Sequence, residues 1–197
     1  MKNFLVTGGA GFIGSNICRR LVEDGCSVRV LDNLITGKKE NLEGILDKVE
    51  FVEADMGDPE VAASAMKDMD VVLHQGAVPS VPRSVDDPDC THRHCVDATL
   101  NLLVAARDAG IKRFVYAASS SAYGDSEVMP KVETMVTNPL SPYAVGKLVG
   151  EYYCKVFYEV YGLETVSLRY FNVFGPYQDP TSQYAAAIPA FVTAILK

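Results

Sequence analysis

The sequence predicts an α/β fold, a doubly wound parallel sheet with helices on both faces. Short runs rich in Val, Leu and Phe alternate with longer stretches of helical period along the whole chain. The runs lack a strict apolar–polar alternation, as strands covered on both faces do. Strand–helix alternation of this kind closes as right-handed βαβ units, which stack into a doubly wound sheet.

Strands are expected at 3–7, 27–31, 49–53, 70–74, 112–118 and 164–169. Helices are expected near 11–24, 59–67, 88–109, 141–161 and 184–197. The punctuation agrees with these bounds. Asp108-Ala109-Gly110 ends one helix with a C-cap glycine ahead of the strand that starts at Ile111. Ser141-Pro142 opens the next, with Ser as N-cap and Pro in the first helical position. Segment 171–183 carries Gly175, Pro176, Asp179 and Pro180 and reads as a loop before the last helix. The apolar stripe along 96–106 reads as core or as a surface between subunits.

Composition narrows the function classes. The chain has 197 residues, 48% of them hydrophobic, enough for one domain or one domain and part of a second. A net charge of −7 with interspersed signs leaves no basic face for nucleic acid. No apolar run approaches the roughly 20 residues that cross a bilayer, and the run Phe4-Leu5-Val6 is too short for an export signal. The five cysteines, at 18, 26, 90, 95 and 154, show no disulfide-framework spacing and suit free thiols in a reducing cytoplasm. Cys90-Thr91-His92-Arg93-His94-Cys95 has metal-ligand residue types. On a helix, however, His92 points away from Cys90 and His94, so no metal site is expected there.

Chemistry enters at Thr7-Gly8-Gly9-Ala10-Gly11-Phe12-Ile13-Gly14, between the first strand and the first helix. Glycine there permits a tight turn and close backbone approach, and the helix N-terminus offers amides and a positive dipole end to phosphates. Asp32 ends the second strand, where a carboxylate binds both ribose hydroxyls of NAD and repels the 2′-phosphate of NADP. Asp55, ending the third strand, is placed to meet the adenine amino group. NAD on a Rossmann-type sheet is the expected cofactor. Farther on, Tyr143 and Lys147 stand one helical turn apart, so both project from one face. A nearby ammonium and the positive nicotinamide ring both favour the phenolate and would bring a tyrosine toward working pH as a base. Ser119, Ser120 and Ser121 follow the fifth strand at the sheet edge where ligands sit. His74 closes a strand and reads as a packing residue rather than a base.

The order of these motifs resembles the extended short-chain dehydrogenases/reductases. The resemblance rests on T-G-x-x-G-F-I-G, His74-Gln75-Gly76-Ala77, the serine run before Tyr123-Gly124, and Tyr143-x-x-x-Lys147. Ser80-Val81-Pro82-Arg83-Ser84, Ser141-Pro142-Tyr143-Ala144 and Leu168-Arg169-Tyr170-Phe171-Asn172-Val173-Phe174-Gly175 resemble the nucleotide-sugar 4-epimerase branch. Within that branch they are most similar to bacterial UDP-N-acetylglucosamine 4-epimerases. The resemblance implies transient oxidation of a UDP-hexose at C4, with Ser119, Tyr143 and Lys147 catalytic. It implies cofactor contacts from Gly8, Gly11, Phe12, Ile13, Gly14, Asp32, Asn33, Asp55, Met56, Gln75 and Ala77, with Tyr143 and Lys147. Substrate contacts would come from Ser80 and Arg83 in a loop after the fourth strand, from Ser119, Ser120, Ser121 and Tyr143, and from Asn172.

It further implies an NAD-binding domain over 1–170, with 171–197 starting a substrate-binding region that relatives continue for over a hundred residues. A homodimer through helices 88–109 and 141–161 is also implied, with Leu102, Leu103, Val149 and Phe157 as apolar contacts. Cys95 stands where the family usually has Asn. Related 4,6-dehydratases carry Asp-Glu after the catalytic Thr, and here Ser120 and Ser121 fill those places. Another nucleotide-sugar oxidoreductase or dehydratase, and a non-catalytic NAD-binding remnant, share many of the same residues and stay open at this point.

Overall fold

Residues 2–178 and 187–195 are described by a computed structural model of the chain. Six strands, β1 Asn3–Thr7, β2 Ser27–Asp32, β3 Glu50–Glu53, β4 Val71–His74, β5 Arg113–Ser119 and β6 Glu164–Tyr170, form one sheet. Its order is β3-β2-β1-β4-β5-β6 and every pairing is parallel. The chain leaves β1 toward β2 and β3, then returns to the opposite side of β1 for β4. The strand order therefore reverses between β1 and β4, where a doubly wound sheet opens its crevice. Register sets Thr7 beside Leu31 on one side and His74 on the other, so three strand ends line up at that edge.

Successive residues of the central strand feed opposite cores, because strand side chains alternate faces. Leu5 joins Leu31, Val72, Phe114 and Tyr116 in one cluster, while Val6 joins Val28, Val30 and Cys18 in the other. The first cluster is roofed by α2 Pro59–Ala65, α5 Ala98–Asp108 and α6 Pro142–Tyr161, and the second by α1 Phe12–Glu23. That second layer covers β1 to β3. Over β6, Val166 and Leu168 remain 40% and 41% exposed.

Capping follows the sequence. Ser141 Oγ accepts the Ala144 amide at 3.1 Å to open α6, and Gly162 in the left-handed region closes it. Two short segments depart from expectation. The segment after β4 is a loop only over residues 75–80: α3 Val81–Asp86 follows with Ser80 as its N-cap, its hydroxyl accepting the Arg83 amide. Ser80 and Arg83 thus stand on a helical turn, which proline at its first positions seeds.

The expected single helix 88–109 is broken as well. It runs as α4 Pro88–His92, then a π turn over Arg93–Asp97, then α5. In the π turn the Ala98 amide reaches back to the Arg93 carbonyl, and the Thr99 hydroxyl donates to the Cys95 carbonyl at 2.7 Å. A side-chain hydroxyl bonded into the ladder is one recognised origin of such an irregularity.

Leu102, Leu103 and Phe157, expected at a subunit interface, are instead within the chain's own core. The face that α6 leaves exposed carries Val145, Tyr152, Val156 and Val160. The last helix, α7, spans Ala187–Ile195. Asp179, Pro180 and the remainder of the expected 184–197 helix lie outside the described residues.

Gly150 lets α6 lie on β5. A Cβ there would sit 2.5 Å from Cζ and 2.8 Å from Cε1 of the fully buried Tyr116. Gly150→Ala is therefore expected to lower stability by about 1–3 kcal/mol through overpacking, read as a lower urea midpoint. An unchanged midpoint would show that the helix–sheet spacing yields freely.

Candidate active site

The cleft at the carboxyl edge of the sheet has a volume of about 1240 Å³. Its floor is the turn after β1. Gly8 has φ +66, and a Cβ there would fall 2.6 Å from the Cα of Gly76, so only glycine lets the ends of β1 and β4 approach this closely. Gly11 is the N-cap of α1 and brings no side chain to satisfy the first helical amides. Gly8, Gly11, Phe12, Ile13 and Gly14 all line the cleft.

Asp32 faces the same space from the end of β2. Its Oδ2 accepts the Ala10 amide at 3.0 Å and its Oδ1 the Leu34 amide at 2.9 Å. Burial pushes this carboxyl up from its ordinary value, and the two backbone bonds oppose that rise. Each oxygen keeps a further lone pair for a hydroxyl donor. Asn33, Met56, Gln75 and Ala77 also line the cleft, and Asp55 does not. The Asp55 carboxylate accepts the Gly57 amide at 2.8 Å and lies 3.8 Å from His94 Nε2.

Ser119, Tyr143 and Lys147 meet on the opposite wall. β5 delivers Ser119 at its last residue, and α6 presents Tyr143 and Lys147 one turn apart. Ser119 Oγ accepts from the Ser121 amide at 3.2 Å and the Ser121 hydroxyl at 2.8 Å. Its own hydrogen remains to donate to Tyr143, a bond that favours the phenolate. Burial is the larger influence, and with the Cys95 thiol it holds the phenol up at about 12. The protein alone thus keeps Tyr143 protonated at neutral pH, and the nearby ammonium does not by itself bring it down. Lys147 is itself buried, which lowers its pKa, and its Nζ donates to the Ala117 carbonyl at 2.9 Å. With one proton given to that carbonyl, two remain for other acceptors.

Ser80, Arg83 and Asn172 border the cleft as well, whereas Ser120 and Ser121 do not. Ser120 and Ser121 lie in a 3-10 turn over Ser120–Tyr123, where Ser121 supports Ser119. Several lining residues were not expected, among them Thr36, Lys38, Val78, His94, Tyr170 and Gln178. Lys38 and Asn41 had a signal: they follow the acid that ends β2. The Lys38 amide and Asn41 Nδ2 both donate to the Ala10 carbonyl, folding that loop onto the glycine turn. His94 and Cys90 lie 3.5 Å apart through Nδ1 and Sγ, with Nδ1 also 2.8 Å from the Cys90 carbonyl. His92 pairs with Asp97 at 3.5 Å instead, so the three side chains do not converge.

The residues fit a dinucleotide. Gln75 and Gln178, both in the cleft wall, have buried carboxamide oxygens with no partner among the described residues. A buried acceptor left so requires a donor, and a ligand rich in hydroxyl and amide groups offers them. Tyr143 should give no phenolate signal until the pH approaches 12, seen as the ultraviolet titration of the protein minus that of Tyr143→Phe. Ser119→Ala should raise it further. A Tyr143 signal centred near pH 10 would show that burial does not hold the phenol neutral.

A parallel sheet of this order, a glycine turn at its switch point and a Ser–Tyr–Lys group on the facing wall define a protein of the Rossmann dinucleotide-fold class. The model of the NAD dependent epimerase/dehydratase family matches residues 4–197, and the chain belongs to that family. It is 44% identical to UDP-N-acetylglucosamine 4-epimerase from Methanobrevibacter ruminantium, solved in complex with UDP-N-acetylmuramic acid. That match has a TM-score of 0.93 and covers 99% of this chain and 63% of the other. The Thermus thermophilus UDP-glucose 4-epimerase, solved with NAD, is 42% identical with a TM-score of 0.87, covering 93% and 59%. UDP-glucose 4-epimerase of Mycolicibacterium smegmatis is 41% identical over 196 residues, 98% of this chain and 62% of that one. The chain thus spans about three fifths of the length of these relatives.

Proposed function

We propose that this chain carries the NAD-binding and catalytic part of a cytoplasmic nucleotide-sugar 4-epimerase acting on a UDP-hexose, UDP-GlcNAc/UDP-GalNAc or UDP-Glc/UDP-Gal. The observation that carries the reading is the group formed by Ser119, Tyr143 and Lys147 across the cleft from Asp32 and the glycine turn. Residues 1–170 would hold the cofactor, and 171–197 would begin the region that meets the sugar nucleotide.

Bound NAD supplies the hydride acceptor and later the donor. Asp32 takes the ribose hydroxyls, and the first amides of α1 take the pyrophosphate. Lys147 holds a ribose hydroxyl with the protons its Ala117 bond leaves free. Tyr143 accepts the proton of the sugar 4-hydroxyl and returns it, while the Ser119 hydroxyl, turned from Tyr143 once substrate is bound, donates to the same oxygen. The positive charge that a bound nicotinamide supplies would work against the burial that holds the Tyr143 phenol high, so the base would be released only in the loaded site. A 4-keto sugar that presented its other face would be re-reduced there, so no net redox change would occur. Ser120 and Ser121 bring neither a carboxylic acid nor a carboxylate beside Ser119, which favours epimerisation over dehydration. The exposed apolar residues of α6 are the proposed seat of a homodimer.

Incubation with each UDP-sugar and separation of the C4 epimers tests the activity directly, and a 4-keto-6-deoxy product would point to a dehydratase. NAD⁺ should bind at least about tenfold more tightly than NADP⁺, a difference near 1.4 kcal/mol, and Asp32→Ala should erase that preference. Equal affinity for the two in the unaltered chain would remove Asp32 from the ribose. Tyr143→Phe should leave NAD⁺ affinity nearly unchanged and slow hydride transfer about two to four orders of magnitude, followed as NADH absorbance in single turnover. Full activity in Tyr143→Phe would rule out this base.

A further inference from the structure

His74 is fully enclosed at the end of β4 and does not line the cleft. Its ring lies between Phe114 and Tyr116, with centroids 5.7 and 5.5 Å away. Its two nitrogens nonetheless meet two threonine hydroxyls: Nδ1 lies 2.7 Å from Thr7 Oγ1 and Nε2 lies 3.0 Å from Thr99 Oγ1. Each hydroxyl has a further partner, since the Gly76 amide donates to Thr7 Oγ1 at 3.2 Å and Thr99 Oγ1 donates to the Cys95 carbonyl at 2.7 Å.

These bonds have only one consistent direction. A carbonyl cannot donate, so the single hydrogen of Thr99 is committed to Cys95, and the bond to His74 requires Nε2–H as donor. Burial, with Lys147 as the nearby charge, pulls the His74 pKa down to about 3, so the ring is neutral and its Nδ1 bears no hydrogen. Nδ1 therefore accepts from the Thr7 hydroxyl, which in turn accepts from Gly76. The protons run from Gly76 through Thr7 to one nitrogen, and from the other nitrogen through Thr99 to Cys95.

The two ends of that chain matter. Gly76 is the residue whose backbone meets Gly8 at the cleft floor. Cys95 is buried in the π turn, and its Cβ would lie 3.1 Å from a Cβ on Gly146, between Tyr143 and Lys147 on α6. We propose that His74 is a positioning residue, a neutral imidazole locked as the Nε2–H tautomer. It joins the nucleotide-side floor at Gly76 to the π turn that backs Tyr143 and Lys147. Its role in cofactor binding rests on the function proposed above; its tautomer does not.

Nitrogen-15 spectra of the imidazoles test it, with the three histidines assigned by removing His92 and His94 in turn. The unaltered chain should show His74 protonated at Nε2 and untitrated through the neutral range. An Nδ1–H ring, or one that titrates near 6.5, would overturn the relay without any variant. Thr99→Val removes the acceptor at nearly constant shape and leaves Nε2–H unpaired, which should move the Nε2 resonance while Thr7 keeps Nδ1 unprotonated. It should also weaken NAD⁺ binding about three- to tenfold, about 0.7–1.4 kcal/mol. Thr99→Ser, which restores the hydroxyl, should keep both the Nε2 resonance and the affinity. An unmoved Nε2 resonance in Thr99→Val overturns the relay, and a moved one with unchanged affinity overturns the positioning role. If the unaltered chain fails to bind NAD⁺ at all, the proposed function falls while the tautomer measurement still decides the relay.

Discussion

The close approach of β1 to β4 is the constraint on which the rest of the site depends. Gly8 and Gly76 bring two backbones together at a distance that no side chain tolerates, and this happens where the strand order reverses. Because the β2–β3 pair and the β4–β6 set diverge from that line, loops on either side part and leave the cleft between them. The glycine turn becomes the floor, Asp32 one flank and the β5–α6 face the other. Parallel pairing is also why the functional side chains arrive together. Every strand delivers its last residue to the same edge, so Thr7, Asp32, His74 and Ser119 lie along one edge despite wide separation in the chain.

Burial then sets the chemistry of the wall. Tyr143 and Lys147 are pushed in opposite directions by desolvation, the phenol up and the ammonium down, so each is biased toward its neutral form. The bonds that oppose this are specific: Ser119 to the phenol, and the Ala117 carbonyl to the ammonium. A site so arranged is a poor base by itself and depends on an added positive charge to become one. The same low polarity fixes His74 as a neutral ring. Cys95 lies behind this wall as a buried thiol, and burial raises its pKa also.

Much of this was legible in the sequence, for reasons of local chemistry. The alternation of apolar runs and helical stretches requires a covered parallel sheet, and six strands stand where that pattern put them. Ser141-Pro142, Gly110 and the glycine turn specify their conformations within a few residues, since capping and positive φ are properties of the immediate backbone. Tyr143 and Lys147 share a helix face for the same reason.

Tertiary structure decided what depends on residues distant in sequence. Asp55 and Met56 are neighbours at the end of one strand, and only packing turned Met56 toward the cleft and Asp55 toward its own turn. Leu102, Leu103 and Phe157 carry the same apolar signal whether they face a partner or the sheet, and the sheet claimed them. The break in the long helix at Arg93–Asp97 goes with a hydroxyl bonded into its ladder, and local propensity does not register that bond. The direction of the Tyr143 shift was invisible too, because a motif reports which charge is near and not how much water the fold excludes. By itself, then, the sequence determined the sheet, its turns and the helix face that Tyr143 and Lys147 share. Their burial, orientation and hydrogen-bond polarity were decided by folding, which alone brings β1, β4, β5 and α6 within reach of one another.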